Sequence, residues 1–276
     1  MKQKTIAKEV SFQSVGLHSG QQINIKLIPS ENGGIVFRNK DNTIQALYSN
    51  VTETQLGTVI SNGKIKVSTI EHMMASFYAC DIDNIIVEID GIEVPIMDGS
   101  AKVFIEEIKK AGIKELNTDR EYLKITKEFT FKDGDRTITV QPSNDLSIKL
   151  DVEFNYGNIG KEEYFWEHSS NNLELFSART FCQEKDIEYM RSIGLARGGS
   201  LDNAMVFNDK GIINKEGFRF KNEPVKHKML DLIGDLYTSG YRIQANIIAT
   251  RTGHGFNNAF LKELFNNNKD KFVIEK

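Results

Sequence analysis

The stretch "HKMLDLIGDLY" at 227–237 puts His227 and Asp231 four residues apart and Asp235 four residues further on. At about 100° per residue, Met229, Leu230, Ile233, Leu236 and Tyr237 fall on one side of a helix. His227, Asp231 and Asp235 fall on the other, with Gly234 among them. An i, i+4 His–Asp pair aims a nitrogen and an oxygen at one point, which suits a zinc ion (Zn2+) and equally suits a hydrogen-bonded pair on a half-exposed helix. His72, in "STIEHMMA", bears on that choice. If the chain folds as two halves whose helices face each other, His72 becomes a third ligand. Three protein ligands with an open fourth position is the pattern of a catalytic zinc.

Glu71 has two readings. "STIE" makes a capping box, with Ser68 at the N-cap and Glu71 reaching back to its amide. Alternatively, a carboxylate beside a metal ligand takes the proton from an attacking water. His254, in "TGHGFNN", falls in a predicted turn between a strand ending near Thr250 and the last helix, and its flanking glycines let backbone approach closely. It is either a turn histidine or, oriented by Asp235, a general acid. His168 reads as a surface loop residue, His18 as a turn stabiliser, and Cys80 and Cys182 as small core residues.

The elements that must position these groups are written twice. "IAKEVSF" at 6–12 is echoed by "ITKEFTF" at 125–131, each alternating with the period of a strand, and each is followed by a second strand near a Pro-Ser turn. "EHMMASFYA" then "CDIDNIIVEIDG" has the helix-to-strand order of "HKMLDLIGDLY" then "TSGYRIQANIIATRTG", and both halves close on a helix, at 101–113 and 257–268. The expectation is an α+β protein of two similar units, 1–116 and 117–276, joined through 114–122. The first carries a strand-rich insert at about 36–67. The second carries one at about 181–207, read as a helix between short apolar strands. Inserts on a repeated scaffold are where substrate-specific surface gathers.

Composition narrows the partners. Among 276 residues, 26% are charged and the net charge is −3, neither a disordered signature nor a field for nucleic acid. Two lone cysteines make no disulfide framework, which points to a reducing cytoplasm. No apolar run approaches the roughly 18 residues of a spanning helix, and the N-terminal stretch lacks a signal-peptide core. A soluble monomer is expected, with room for transient peripheral membrane contact.

Read together, "VGLHSG", "STIEHMMA", "DNIIVEIDG", "PIMDGSA", "SARTF", "GLARGGSLDNAMVF", "HKMLDLIGDLY" and "TGHGFNNAFL" run nearly end to end. In order and spacing they resemble the UDP-3-O-acyl-N-acetylglucosamine deacetylases, zinc amidases of lipid A biosynthesis. The resemblance implies two β-α-α-β sandwich domains with facing helices, each with one insert, and a UDP-linked acylated amino sugar as substrate. It implies zinc on His72, His227 and Asp231, Glu71 as base, His254 as the imidazole at the leaving amine with Asp235 behind it, and Thr180 near the oxyanion. Lys228 and Phe181 match substrate-contacting positions, and Ile187, Gly199, Ser200, Ala204 and Val206 match an acyl-chain passage. Arg197 and "NYGN" at 155–158 depart from the pattern and leave chain-length preference open. A zinc amidase for another acylated substrate, or a non-catalytic binder with a closed four-ligand metal, are the alternatives; the second has no need of Glu71.

Overall fold

The computed structural model describes residues 1–170 and 173–276. The first half runs β1 (Lys2–Ile6), β2 (Val10–Val15), β3 (Gln22–Pro29), β4 (Ile35–Asn39) and β5 (Asn42–Gln45). The short strands β6 (Val51–Glu53), β7 (Val59–Ser61) and β8 (Lys66–Val67) follow, then α1 (Glu71–Ala79), β9 (Ile85–Ile89), α2 (Lys102–Ala111) and β10 (Ile113–Asp119). In β3 the alternation is literal: Ile23, Ile25 and Leu27 are buried while Gln22 and Asn24 are exposed. The sheet order is β2-β3-β9-β4-β5, with β3 antiparallel and β4 parallel to β9.

The second half begins with β11 (Tyr122–Ile125), β12 (Phe129–Asp133), β13 (Arg136–Pro142), β14 (Ser147–Phe154) and β15 (Gly160–Glu167). It continues through α3 (Leu173–Phe176), β16 (Phe181–Gln183), α4 (Ile187–Ser192), β17 (Met205–Asn208) and β18 (Gly211–Ile212). It ends with α5 (Glu223–Tyr237), β19 (Arg242–Thr250), α6 (His254–Asn267) and β20 (Phe272–Glu275). Here β12-β13-β19-β14-β15 repeats the first sheet's order and senses, β13 antiparallel and β14 parallel to β19, with β11 and β20 added. The fold is α+β.

Several sequence expectations are corrected. Both echoing strands break at the same point, after Ile6 and after Ile125, and resume at Val10 and Phe129. Not all of 36–67 is an insert: β4 and β5 belong to the main sheet, and β6, β7 and β8 alone form a separate three-stranded sheet. Residues 114–122 are not a bare connection, because β10 pairs antiparallel with β1. The last helix begins at His254, so that residue is no turn histidine. The 181–207 segment does carry a short helix between short strands, β16 and β17 pairing in parallel.

Helices α1 and α5 meet face to face. Every α5 residue except Lys228 is buried, so the polar side of this helix is no solvent face. Gly234 is the contact point: a Cβ there would stand 2.1 Å from the Glu71 carbonyl oxygen and 3.2 Å from the Ala75 amide nitrogen. The chain enters α1 through Thr69 at φ 57°, a left-handed conformation that disfavours a β-branched residue, and Glu93 accepts its hydroxyl at 3.3 Å. Alanine is the better helix former by about 1 kcal/mol, while overpacking costs about 1–3 kcal/mol. Gly234→Ala is therefore expected to lower the melting temperature; a thermal melt at or above wild type would mean the helices separate freely.

Candidate metal centre and active site

The facing helices bring three ligand types to one point. His72 is the second residue of α1, and His227 and Asp231 lie one turn apart on α5. Their candidate ligand atoms all lie within 4.8 Å of one another. Asp231 Oδ1 is 3.5 Å from His72 Nε2 and 3.4 Å from His227 Nε2, and the two rings cross at 85° with centroids 5.0 Å apart.

The chemistry of this donor set fits a divalent metal. His227 Nδ1 faces the Ala178 carbonyl at 3.0 Å; a carbonyl only accepts, so Nδ1 carries the proton and Nε2 turns its lone pair toward Asp231. Burial pushes the His227 pKa down to about 3 against the pull of Asp231, which keeps the ring a neutral ligand. Asp231 Oδ2 accepts from Lys228 Nζ at 2.9 Å, whereas Oδ1 is buried with no hydrogen-bond partner among the described residues. Burial alone would raise this carboxyl, but the positive charge around it, that of Lys228 included, outweighs burial and holds it well below the usual range. An unpartnered carboxylate oxygen beside two imidazole nitrogens leaves lone pairs converging, an arrangement that a bound cation resolves.

Glu71 does not cap α1. The N-cap is Ile70 with no side-chain cap bond, Ser68 Oγ donates to the Ile92 carbonyl, and Glu71 Oε2 instead accepts the Thr58 amide at 2.8 Å. Burial raises the Glu71 pKa above the ordinary carboxylate value. His254 Nδ1 meets Asp235 Oδ2 at 2.8 Å, while its Nε2 lies 4.0 Å from Glu71 Oε1. Burial opposes the charged imidazole, but Asp235 and Glu71 outweigh it and push the pKa up to about 10. Asp235 also accepts from Thr58 Oγ1 at 2.5 Å and Asn257 Nδ2 at 2.8 Å.

Glu71, His72, Thr180, Phe181, His227, Lys228, Asp231 and His254 line one cavity of about 440 Å³. Ile187, Gly199, Ser200, Ala204 and Val206 line a second, largely apolar cavity of about 320 Å³, and Leu17, Leu56, Thr180 and Phe181 line both. Phe181 packs its ring on His227 at 5.8 Å and lies under Lys228 Nζ at 5.5 Å. Arg197 lines neither cavity; its amide donates to the His18 carbonyl, and His18 itself bridges Leu56 and Ala196. His168 is half-buried, its ring edge against Tyr78 at 5.4 Å.

Sequence reasoning missed Thr58, Asn257 and the pair that anchors Thr180. Arg179 is wholly enclosed, its Nε on Glu223 Oε1 at 2.9 Å and its Nη1 on Glu216 at 2.6 Å. The Thr180 amide is held on the Gly99 carbonyl at 2.8 Å. A conspicuous "SART" with a charged residue between small ones was the available signal for Arg179; Thr58 offered none.

A sequence model of the UDP-3-O-acyl N-acetylglycosamine deacetylase family matches residues 3–266. The chain belongs to this family. The protein named UDP-3-O-acyl-N-acetylglucosamine deacetylase in Citrifermentans bemidjiense is 44% identical over 269 residues, covering 95% of this chain and 88% of the relative. Relatives of the same name are 43% identical in Nautilia profundicola (96% and 92% covered) and 40% identical in Histophilus somni (97% and 91%). No helix among the described residues is long and apolar enough to cross a membrane.

Removing a ligand should be visible without any assay of turnover. His72→Ala, His227→Ala and Asp231→Ala are each expected to lower bound metal per chain, and Glu71→Gln to leave it unchanged, by elemental analysis of dialysed protein. Full metal in His72→Ala would reject the three-ligand centre.

Proposed function

We propose that the chain is a zinc-dependent amide hydrolase that removes acetate from UDP-3-O-acyl-N-acetylglucosamine, giving UDP-3-O-acyl-glucosamine, the committed step of lipid A biosynthesis. The observation that carries this reading is a metal-ready cluster flanked by a buried carboxylate and a carboxylate-held imidazole, opening on an apolar cavity. A zinc ion on His72, His227 and Asp231 would acidify a water and polarise the amide carbonyl. Glu71, raised by burial, accepts the proton of the water that attacks the acetamide carbon. The Thr180 hydroxyl serves as a donor to the oxyanion that forms, and preorganised donors of this kind contribute a few kcal/mol each. Lys228 adds positive charge on the same wall. As the C–N bond breaks, His254 gives its proton to the sugar nitrogen, so acetate leaves from a protonated amine. Asp235 keeps the imidazole charged and aimed.

The acyl chain fits the second cavity, where burial is worth about 0.8 kcal/mol per CH₂. We further read the chain as two β-α-α-β units with facing helices, supported by the repeated sheet order. The pairing of β10 with β1 favours a boundary after Asp119 rather than at 116. We read the enzyme as a monomer, and its two cysteines are free, which suits the cytoplasm.

Glu71→Gln should abolish turnover with metal retained, and His254→Ala should reduce kcat by about 10²- to 10⁴-fold, both followed as acetate release. The working His254 is the protonated form, so activity falls as pH rises through its pKa. Asp235 is what raises that pKa against burial, and Asp235→Asn is therefore expected to move the alkaline limb of the kcat/KM profile to lower pH. A limb that stays put would assign it to another group.

Ala204→Phe fills the apolar cavity. It should depress kcat/KM for the acylated substrate far more than for UDP-N-acetylglucosamine. Equal losses on both would show that this segment only supports the metal site.

A further inference from the structure

We propose that Thr58 is a positioning residue that fixes the proton acceptor and the proton donor of this reaction against each other, its backbone amide on Glu71 and its hydroxyl on Asp235. The inference rests on the catalytic reading above. Thr58 stands immediately before β7, 2% exposed, and lines neither cavity, so it acts only through its neighbours. Its amide donates to Glu71 Oε2 at 2.8 Å and its Oγ1 donates to Asp235 Oδ1 at 2.5 Å. A carboxylate is an acceptor, which settles the direction of the second bond. The Thr58 carbonyl in turn accepts the Ile70 amide at 3.3 Å, tying the start of β7 to the start of α1. Next to it, a Cβ on Gly57 would lie 3.2 Å from Glu71 Oε1, so the chain closes tightly around the same carboxylate.

These bonds tie both carboxylates to one residue. Asp235 Oδ2 is shared by His254 Nδ1 and Asn257 Nδ2, both from α6. Thr58 holds the opposite oxygen from the first half of the chain, so the carboxylate plane, and with it the imidazole, cannot swing. Glu71 Oε1 and His254 Nε2 face each other across 4.0 Å, and Thr58 is bonded to the partner oxygen on each side of that gap. Acid and base must address two atoms of one amide, and misplacement by about 1 Å can cost about 100-fold in rate.

Thr58→Val keeps the shape and the amide and removes the hydroxyl; Thr58→Ser keeps the hydroxyl. With UDP-3-O-acyl-N-acetylglucosamine, Thr58→Val is expected to lose about 10- to 100-fold in kcat, with KM and bound metal close to wild type. Thr58→Ser should recover most of that loss. Thr58→Ala takes the place of valine, with the same expectation, if the valine variant does not fold. In an Asp235→Ala background the valine substitution should cost little more, because its partner is already gone. The inference would be overturned by a serine variant as slow as the valine one, by a loss confined to KM, or by full additivity with Asp235→Ala. Wild-type protein that releases no acetate would overturn the catalytic reading and this inference with it, whereas normal turnover by Thr58→Val overturns the role of Thr58 alone.

Discussion

Everything at the site depends on two helix backbones touching. Gly234 removes the one side-chain atom that would hold α5 off α1 at Glu71, and the two residues that follow from that contact, Glu71 and His72, then face His227, Asp231 and Asp235 across a few ångströms. A wider spacing, as a side chain at 234 would impose, separates the imidazoles and leaves Asp231 without counterparts. The close approach also forces burial: His72, His227, Asp231, Asp235 and Glu71 are all under 5% exposed. Burial is what neutralises His227 and raises Glu71, so a packing constraint sets the protonation states.

Helix α1 handles charge differently at its far end. Carbonyls at its C-terminal end meet cations: Arg242 Nη2 donates to the Tyr78 carbonyl at 3.1 Å and Arg120 Nη2 to the Asp81 carbonyl, just past the helix, at 3.0 Å. Cations near a helix C-terminus are favourable, and Asp81 and Asp83 balance both guanidiniums. Arg242 lies over the Tyr78 ring at 4.4 Å and near Tyr237 at 5.2 Å. At that end each charge has an opposite within the protein. At the Glu71 end Asp231 Oδ1 has no hydrogen-bond partner among the described residues, which is why we propose that end as the site of chemistry and read the other as a clamp.

Much of this was legible in the sequence, and the failures share a cause. Helical spacing exposed His227, Asp231 and Asp235, and the echo of one half in the other exposed His72, because those signals are local or periodic. The capping role offered by "STIE" is a local signal as well, and it lost to a hydrogen bond from Thr58, 13 residues away across a strand turn. His254 looked like a turn because Gly253 and Gly255 flank it, yet α6 starts on it. Strands β4 and β5 read as inserted sequence because parallel pairing of Ile35 with Ile85 links segments about fifty residues apart. Alternation reports which face is buried but not which strand lies alongside.

Repetition explains the scaffold, and its asymmetry explains the catalyst. Both halves supply a sheet of the same order with a helix against it, but the proposed ligands divide one to two, and the proposed base and acid fall on opposite halves, Glu71 on α1 and His254 on α6. Neither half carries a complete site. In the proposed mechanism, metal affinity, base position and acid position would therefore all depend on the same docking of α1 against α5. Because binding free energy at such a centre is shared with the folding that assembles it, a cation held by His72, His227 and Asp231 would itself favour the contact of α1 with α5.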